Sequence, residues 1–264
     1  NKINGIIKVQ SGVTFNNIYQ VILLDNWYLP SCPGGGDVSI GSIGSTSAAT
    51  KLNKVEINKA DGAAGDISIG NIGGTDSGTP FVGAEGAAII GNANTAILTL
   101  SGDSYFFDNT VAFQAAAGGS NNDIRLTSAS GTTITTSDDT ITFEDGVIKL
   151  TAGLTTIESN GAKITLTETR GSGDEDLTLN AGSSATDAIV EVARLGEGNG
   201  LAEITIIGVD GVTLSGDITT ANHAGAKLDV TGPVTLGNNV EILTDTVGTD
   251  GNITFNATAK IVEE

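Results

Sequence analysis

Along most of the chain, apolar and polar residues take turns. The stretches 54–58, 97–100, 140–143, 163–166, 176–179, 203–206, 212–214 and 252–255 carry Ile, Leu, Val or Phe at alternate positions. Thr, Lys, Glu, Asp or Asn stand between them. Successive side chains of an extended strand point to opposite faces, so a period of two marks a strand with one face buried. Asp61-Gly62, Asn160-Gly161, Asp210-Gly211 and Asp250-Gly251 separate such stretches, and each is a turn signal. Residues 6–10 alternate only weakly, and no stretch shows a convincing helical period. Residues 185–195 come nearest, but Ile189-Val190-Glu191-Val192 reads as one more strand. The pattern predicts an all-β chain.

The strands recur. Gly36-Asp37-Val38-Ser39-Ile40-Gly41-Ser42-Ile43-Gly44 returns 29 residues later as Gly65-Asp66-Ile67-Ser68-Ile69-Gly70-Asn71-Ile72-Gly73. Thr132-Thr133-Ile134 and Ile141-Thr142-Phe143 return after 23 residues as Thr155-Thr156-Ile157 and Ile164-Thr165-Leu166. A looser echo at a shift of 130 relates 96–102 to 226–232, and suggests a duplicated block of coils. Repeats of 20 to 50 residues mark stacked units. One coil of a three-sided β-solenoid needs about the length of the short shifts. A parallel β-solenoid is therefore expected, with coils about 4.8 Å apart. Antiparallel β-sandwich domains are the alternative, since Xaa-Gly turns also suit hairpins.

Composition sharpens this. Of 264 residues 39% are hydrophobic but only 4% aromatic, with 37 Gly and 4 Pro, which suits β-branched strands joined by tight turns. Acidic residues outnumber basic ones by 31 to 12, a net charge of −19. Phosphates need Lys and Arg, so a nucleic-acid partner is not expected. No apolar run reaches the length of a membrane span, so membrane insertion is not expected either. The acidity reads first as a solvated surface, and second as Asp and Asn oxygens available to Ca²⁺ in turns. Residues 34–40 match half of a calcium-binding nonapeptide, but only once in full. Otherwise no cofactor is expected. The single Cys32 leaves no intrachain disulfide, there is no Met, and the chain begins at Asn1. This suggests a processed product or a piece of something longer. Scarce sulfur with abundant Gly, Thr and Asn suits an exposed, oxidising location.

Residues 1–35 differ from the rest and hold Phe15, Tyr19, Trp27 and Tyr28, with Pro30 and Pro33. They read as an N-terminal cap or assembly segment, and 36–264 as the strand-repeat solenoid. A solenoid is open at both ends, where unpaired backbone groups invite another strand. Val21, Ile22, Leu23, Leu24, Trp27 and Tyr28 at one end, with Phe255 and Ile261 at the other, are the expected contacts between copies stacked head to tail. A second aromatic group, Tyr105-Phe106-Phe107 with Phe113, reads as core at a wider coil.

Catalytic chemistry is sparse. His223 has no second His for a zinc pair, and Cys32 lacks a local base. Asp138-Asp139, Glu144-Asp145 and Asp174-Glu175-Asp176 are the carboxylate groups available for acid/base work. Neighbours in a strand face opposite ways, so such pairs seldom share a site. Arg125, Arg170 and Arg194 suit an acidic sugar only if they converge. No enzyme activity is expected. A carbohydrate-active β-helix enzyme is one alternative. Ice binding by stacked Thr is less supported, because regular Thr-x-Thr is missing.

The phrases Asp176-Leu177-Thr178-Leu179-Asn180-Ala181-Gly182, Val212 to Thr220, Val234-Thr235-Leu236-Gly237 and Gly251-Asn252-Ile253-Thr254-Phe255 resemble the strand repeats of giant bacterial surface proteins. These are the filamentous-haemagglutinin and autotransporter-adhesin kind. The resemblance covers most of 90–260 and, more loosely, 36–75. It implies a right-handed parallel β-helix, secretion to the cell surface, and an adhesive or filament-forming role. The expected function is thus an extracellular structural building block of a surface fibre or adhesin. Its partners would be other copies of itself and host or surface glycans. A filament or sheath subunit joined by strand exchange is the other structural reading.

Overall fold

The computed structural model of the chain describes residues 2–3, 6–7, 37–44, 52–58, 65–76, 79–117, 122–151, 153–172, 175–182, 187–221, 225–237, 239–244, 251–256 and 261–263. Every helix or strand among them is a strand. Two short pairs are antiparallel, Lys2–Ile3 with Ile6–Ile7 and Gly74–Asp76 with Thr79–Phe81. All other strand pairs among the described residues are parallel, each joining a strand to its equivalent one coil away. The chain is a three-faced parallel β-solenoid, not a set of sandwiches.

The first face begins with Val38–Ile40, Gly65–Ile69, Thr95–Leu100, Asp123–Leu126 and Val147–Leu150. It continues through the ends of Ile164–Gly171 and Ile189–Gly198, then Ile218–Thr220 and Ile242–Thr244. The second face starts as single bridges at Ile43 and Ile72 and becomes a stack from Ser104–Phe106 to Asn252–Phe255. The third face runs from Val55–Ile57 to Ile261–Glu263. Ile164–Gly171 and Ile189–Gly198 turn a corner, serving the third face with their first residues and the first face with their last.

The alternation sets the core. On the second face Ile43, Ile72, Tyr105, Ile134, Ile157, Leu179, Ile206, Val230 and Phe255 stand one above another on the inner side. All but Phe255 are buried. Each such aliphatic side chain contributes about 1.5–3 kcal/mol relative to exposure. The expected aromatic core also forms: Phe113 stacks on Phe143 of the next coil at 4.9 Å between centroids, and Phe107 meets Phe113 edge-on at 6.2 Å.

The short repeats are coils. Val38 pairs with Ile67 and Ile43 with Ile72, which puts Asp37 and Asp66 at equivalent positions. The carboxylate of Asp37 accepts the Asp66 N–H at 3.0 Å. Asp176 does the same for Glu203 at 3.1 Å, and Asp217 for Glu241 at 2.9 Å. An aspartate just before, or opening, a strand thus satisfies an amide one coil on, through a charge-assisted bond. The glycines of the echo have a steric reason: a Cβ on Gly70 would lie 1.7 Å from the carbonyl oxygen of Gly41. The 23-residue shift is likewise one coil, with Thr132 to Ile134 in register with Thr155 to Ile157.

The 130-residue echo is not a duplication. Leu98 and Leu100 lie on the first face, whereas Leu228 and Val230 lie on the second. Their matching phrases reflect the common strand pattern. The boundary drawn at residue 35, and Val21 to Leu24, Trp27, Tyr28, Cys32 and His223, lie outside the described residues.

Candidate functional site

On the outer side of the first face, register places Ser39, Ser68, Thr99, Arg125, Lys149, Arg170 and Glu197 in one column. Three cations therefore follow one another at one strand spacing, about 4.8 Å. Stacked like charges repel, and the coil answers with acids set beside them. Asp123 is buried, with its side chain 1% exposed, and accepts from Arg125 Nε and Nη2 at 3.3 and 2.9 Å. Lys149 Nζ reaches the same oxygen at 2.7 Å. Arg170 donates through Nε to Glu168 at 2.7 Å and through Nη2 to Glu197 at 2.7 Å. Arg194 Nη1 lies 3.1 Å from Glu197 and 3.9 Å from Glu168.

Arg170 and Arg194 bring the two glutamates together. Burial first, then the neighbouring Glu197 carboxyl, holds the Glu168 carboxyl above the usual range despite Arg170. The neighbouring Glu168 carboxyl, then Arg170 and Arg194, holds Glu197 below it.

A bulge shapes this region. Pairing passes from Glu168–Arg194 to Arg170–Glu197, so the later strand carries one extra residue. Gly196 adopts φ +75°, and a Cβ there would lie 2.0 Å from the Thr219 carbonyl oxygen. Thr169, fully buried beside Ile148 in the inner column, accepts the Gly196 N–H at 3.2 Å. Bulges bend a strand and re-aim its side chains. Here a groove of about 280 Å³ lies along the bulge, lined among others by Lys149, Thr151, Arg170, Ser172, Glu197 and Asn199. Ser172 is fixed by Glu175, whose buried carboxylate accepts its N–H at 2.7 Å and also its hydroxyl.

Arg125 and Arg170 thus share one column and Arg194 reaches Glu197 beside it, a placement that single-sequence reading leaves open. Lys149, Asp123 and Thr169 were missed. One signal for Lys149 exists: Arg125, Lys149 and Arg170 stand 24 and 21 residues apart, close to the 23-residue coil. The carboxylate candidates lie apart from each other. Asp138 is exposed at a turn with φ 93°. Asp145 accepts from Gln114 at 3.2 Å, and Glu144 is exposed. Glu175 holds Ser172, Asp176 caps Glu203, and Asp174 lies outside the described residues. Among the described residues no three His, Cys, Asp or Glu side chains group as a metal site. No helix among them is long and apolar enough to cross a membrane.

Of the expected assembly contacts, Phe255 stands half-buried on the last strand of the second face, and Ile261 pairs with Val234 on the third. The outer side of the second face aligns Ser104, Thr133, Thr156, Thr178 and Thr205, but Asp229 then interrupts, and only Thr133 and Thr135 form a Thr-x-Thr pair. Comparison of the chain with protein-family models, with curated proteins and with solved structures finds no match.

Proposed function

We propose that the chain is a structural segment of an extracellular surface fibre or adhesin, acting through its shape and through end-to-end stacking of coils. One observation carries the reading. Down an inner column of the second face, Leu177, Ile204 and Leu228 are buried, but Ile253 on the last described strand is 44% exposed. An apolar side chain in core register with nothing over it among the described residues suits one more coil. A parallel edge supplies the hydrogen bonds for it. Stacking of one end on another is heterologous and gives an open filament rather than a ring. The resemblance of the strand phrases to filamentous-haemagglutinin and autotransporter-adhesin repeats supports the same role and a place at the cell surface.

Electron microscopy and sedimentation of the purified chain test this. Rods that lengthen with concentration are expected. Ile253→Asp puts a charge into the stacking face and should stop growth while the β circular-dichroism signal persists. Trp27→Asp should do the same if residues 1–35 meet the opposite end. A chain that stays monomeric at every concentration, or Ile253→Asp rods of normal length, would overturn the assembly reading.

A further inference from the structure

The stripe on the first face is a local exception in an acidic molecule. Charges farther away than about 8 Å are screened at physiological salt, so a ligand there meets Arg125, Lys149, Arg170 and Arg194, set against Asp123, Glu168 and Glu197, rather than the net −19. We propose that the stripe and its groove bind a linear acidic polysaccharide laid along the solenoid axis.

The geometry supports this at three points. The cations recur once per coil, so a chain with regularly spaced acid groups can meet several at once. Arg125 and Lys149 are steadied by Asp123 alone, and Arg170 by Glu168 and Glu197. Asp123 takes Nε and Nη2 of Arg125, leaving Nη1, and it takes one of the three N–H groups of Lys149. Their side chains remain 37% and 31% exposed. Pre-placed cations lose less side-chain entropy on binding. Beside them runs a second column of hydroxyls. Ser101 and Thr151 donate their hydroxyls to the coil below, to Ile69 and Leu126. Their oxygens keep lone pairs for sugar hydroxyls. Ser172 and Asn199 extend this column into the groove.

Among the described residues the groove lining contains no aromatic ring. Base stacking, the usual grip on single-stranded nucleic acid, is therefore missing. So is a platform for the faces of neutral sugars, and charge must carry recognition. The bulge held by Thr169 and Gly196 gives the groove its depth. None of this depends on polymerisation, so the proposal stands or falls apart from the assembly reading.

Equilibrium binding of the full chain to polygalacturonate, dextran sulfate and neutral dextran is the test. At least one acidic polymer should bind, more weakly as salt rises, and dextran should not. Which acidic polymer binds tells carboxylate from sulfate as the recognised group. Lys149→Gln leaves Arg125 on Asp123 and should weaken binding about two- to fivefold, the size of one exposed charge contact. Lys149→Gln with Arg170→Gln should weaken it about tenfold on the same scale. Glu197→Gln removes a carboxylate from the groove and should tighten binding about two- to fivefold, a gain that misfolding cannot imitate. Lys227→Gln, on the second face, should change nothing. No binding to either acidic polymer would overturn the proposal. So would a double variant that binds as wild type, or equal loss in Lys227→Gln. Single-stranded DNA bound as tightly, with the same losses, would reduce the stripe to an unspecific polyanion patch and overturn the glycan assignment.

Discussion

Thr169 places a hydroxyl in an inner column otherwise built of Val, Ile and Leu, next to Ile148 and fully buried. Its hydroxyl oxygen accepts the Gly196 N–H at 3.2 Å, where the bulge removes that amide from the ladder. Thr169→Val keeps the shape and deletes the acceptor. A buried N–H left unpaired costs about 1–3 kcal/mol. The methyl that replaces the hydroxyl returns about 0.8 kcal/mol of apolar burial. The loss wins, and the variant should be destabilised by about 0.5–2 kcal/mol. Stacked coils can open one at a time, so a global unfolding curve blurs a local effect. Hydrogen exchange at the Gly196 amide reads it directly and should speed up about 2- to 30-fold. Thr169→Ser keeps the oxygen and should retain protection at Gly196. A Thr169→Val protein as stable as wild type, with Gly196 equally protected, would refute the idea that this hydroxyl holds the bulge.

Other positions offer independent checks. Gly70→Ala should be strongly destabilising, because its Cβ would meet the Gly41 carbonyl oxygen at 1.7 Å. At Gly41 itself, one coil back, a Cβ meets nothing within 4 Å, and Ala should be tolerated there; equal melting temperatures for the two would contradict the stacking register. Tyr105→Phe removes the acceptor of the Gly102 N–H, 2.8 Å away, while Ile69 O keeps its bond from Ser101 N–H. A loss of about 1–3 kcal/mol in denaturant unfolding is expected, and no loss would show that water replaces the hydroxyl. The Asp139 carboxyl is raised by burial, then by Asp138 and Asp108. Its ionisation is therefore harder in the folded state, and stability falls as pH rises from the ordinary carboxylate value through the raised one. Asp139→Asn should flatten that acid-side slope in melts across pH, and an unchanged slope would count against it.

The strand pattern and the short shifts were enough for the architecture, and the reason is the parallel stack itself. In-register coils place equivalent residues on top of each other, so Ile67 over Val38 or Thr156 over Thr133 leaves a direct trace in the sequence. The same simplicity misleads over longer distances. A two-residue period looks alike on all three faces, and nothing in Leu98-Thr99-Leu100 or Leu228-Asp229-Val230 says which face it will join. Only the summed lengths of the intervening turns decide that, which is why the 130-residue echo joined different faces. The stripe depends on the same sum. Arg125 and Arg170 are 45 residues apart, and only the insertion of Lys149 at the matching place in the coil between them makes a column. Asp123 and Thr169 were less legible still. Each is a polar residue at a strand position of ordinary appearance, and its task exists only once the next coil supplies Lys149 or the freed amide of Gly196. Alternation can be read residue by residue. Charge pairing between coils, and the satisfaction of a displaced amide, are properties of the assembled stack.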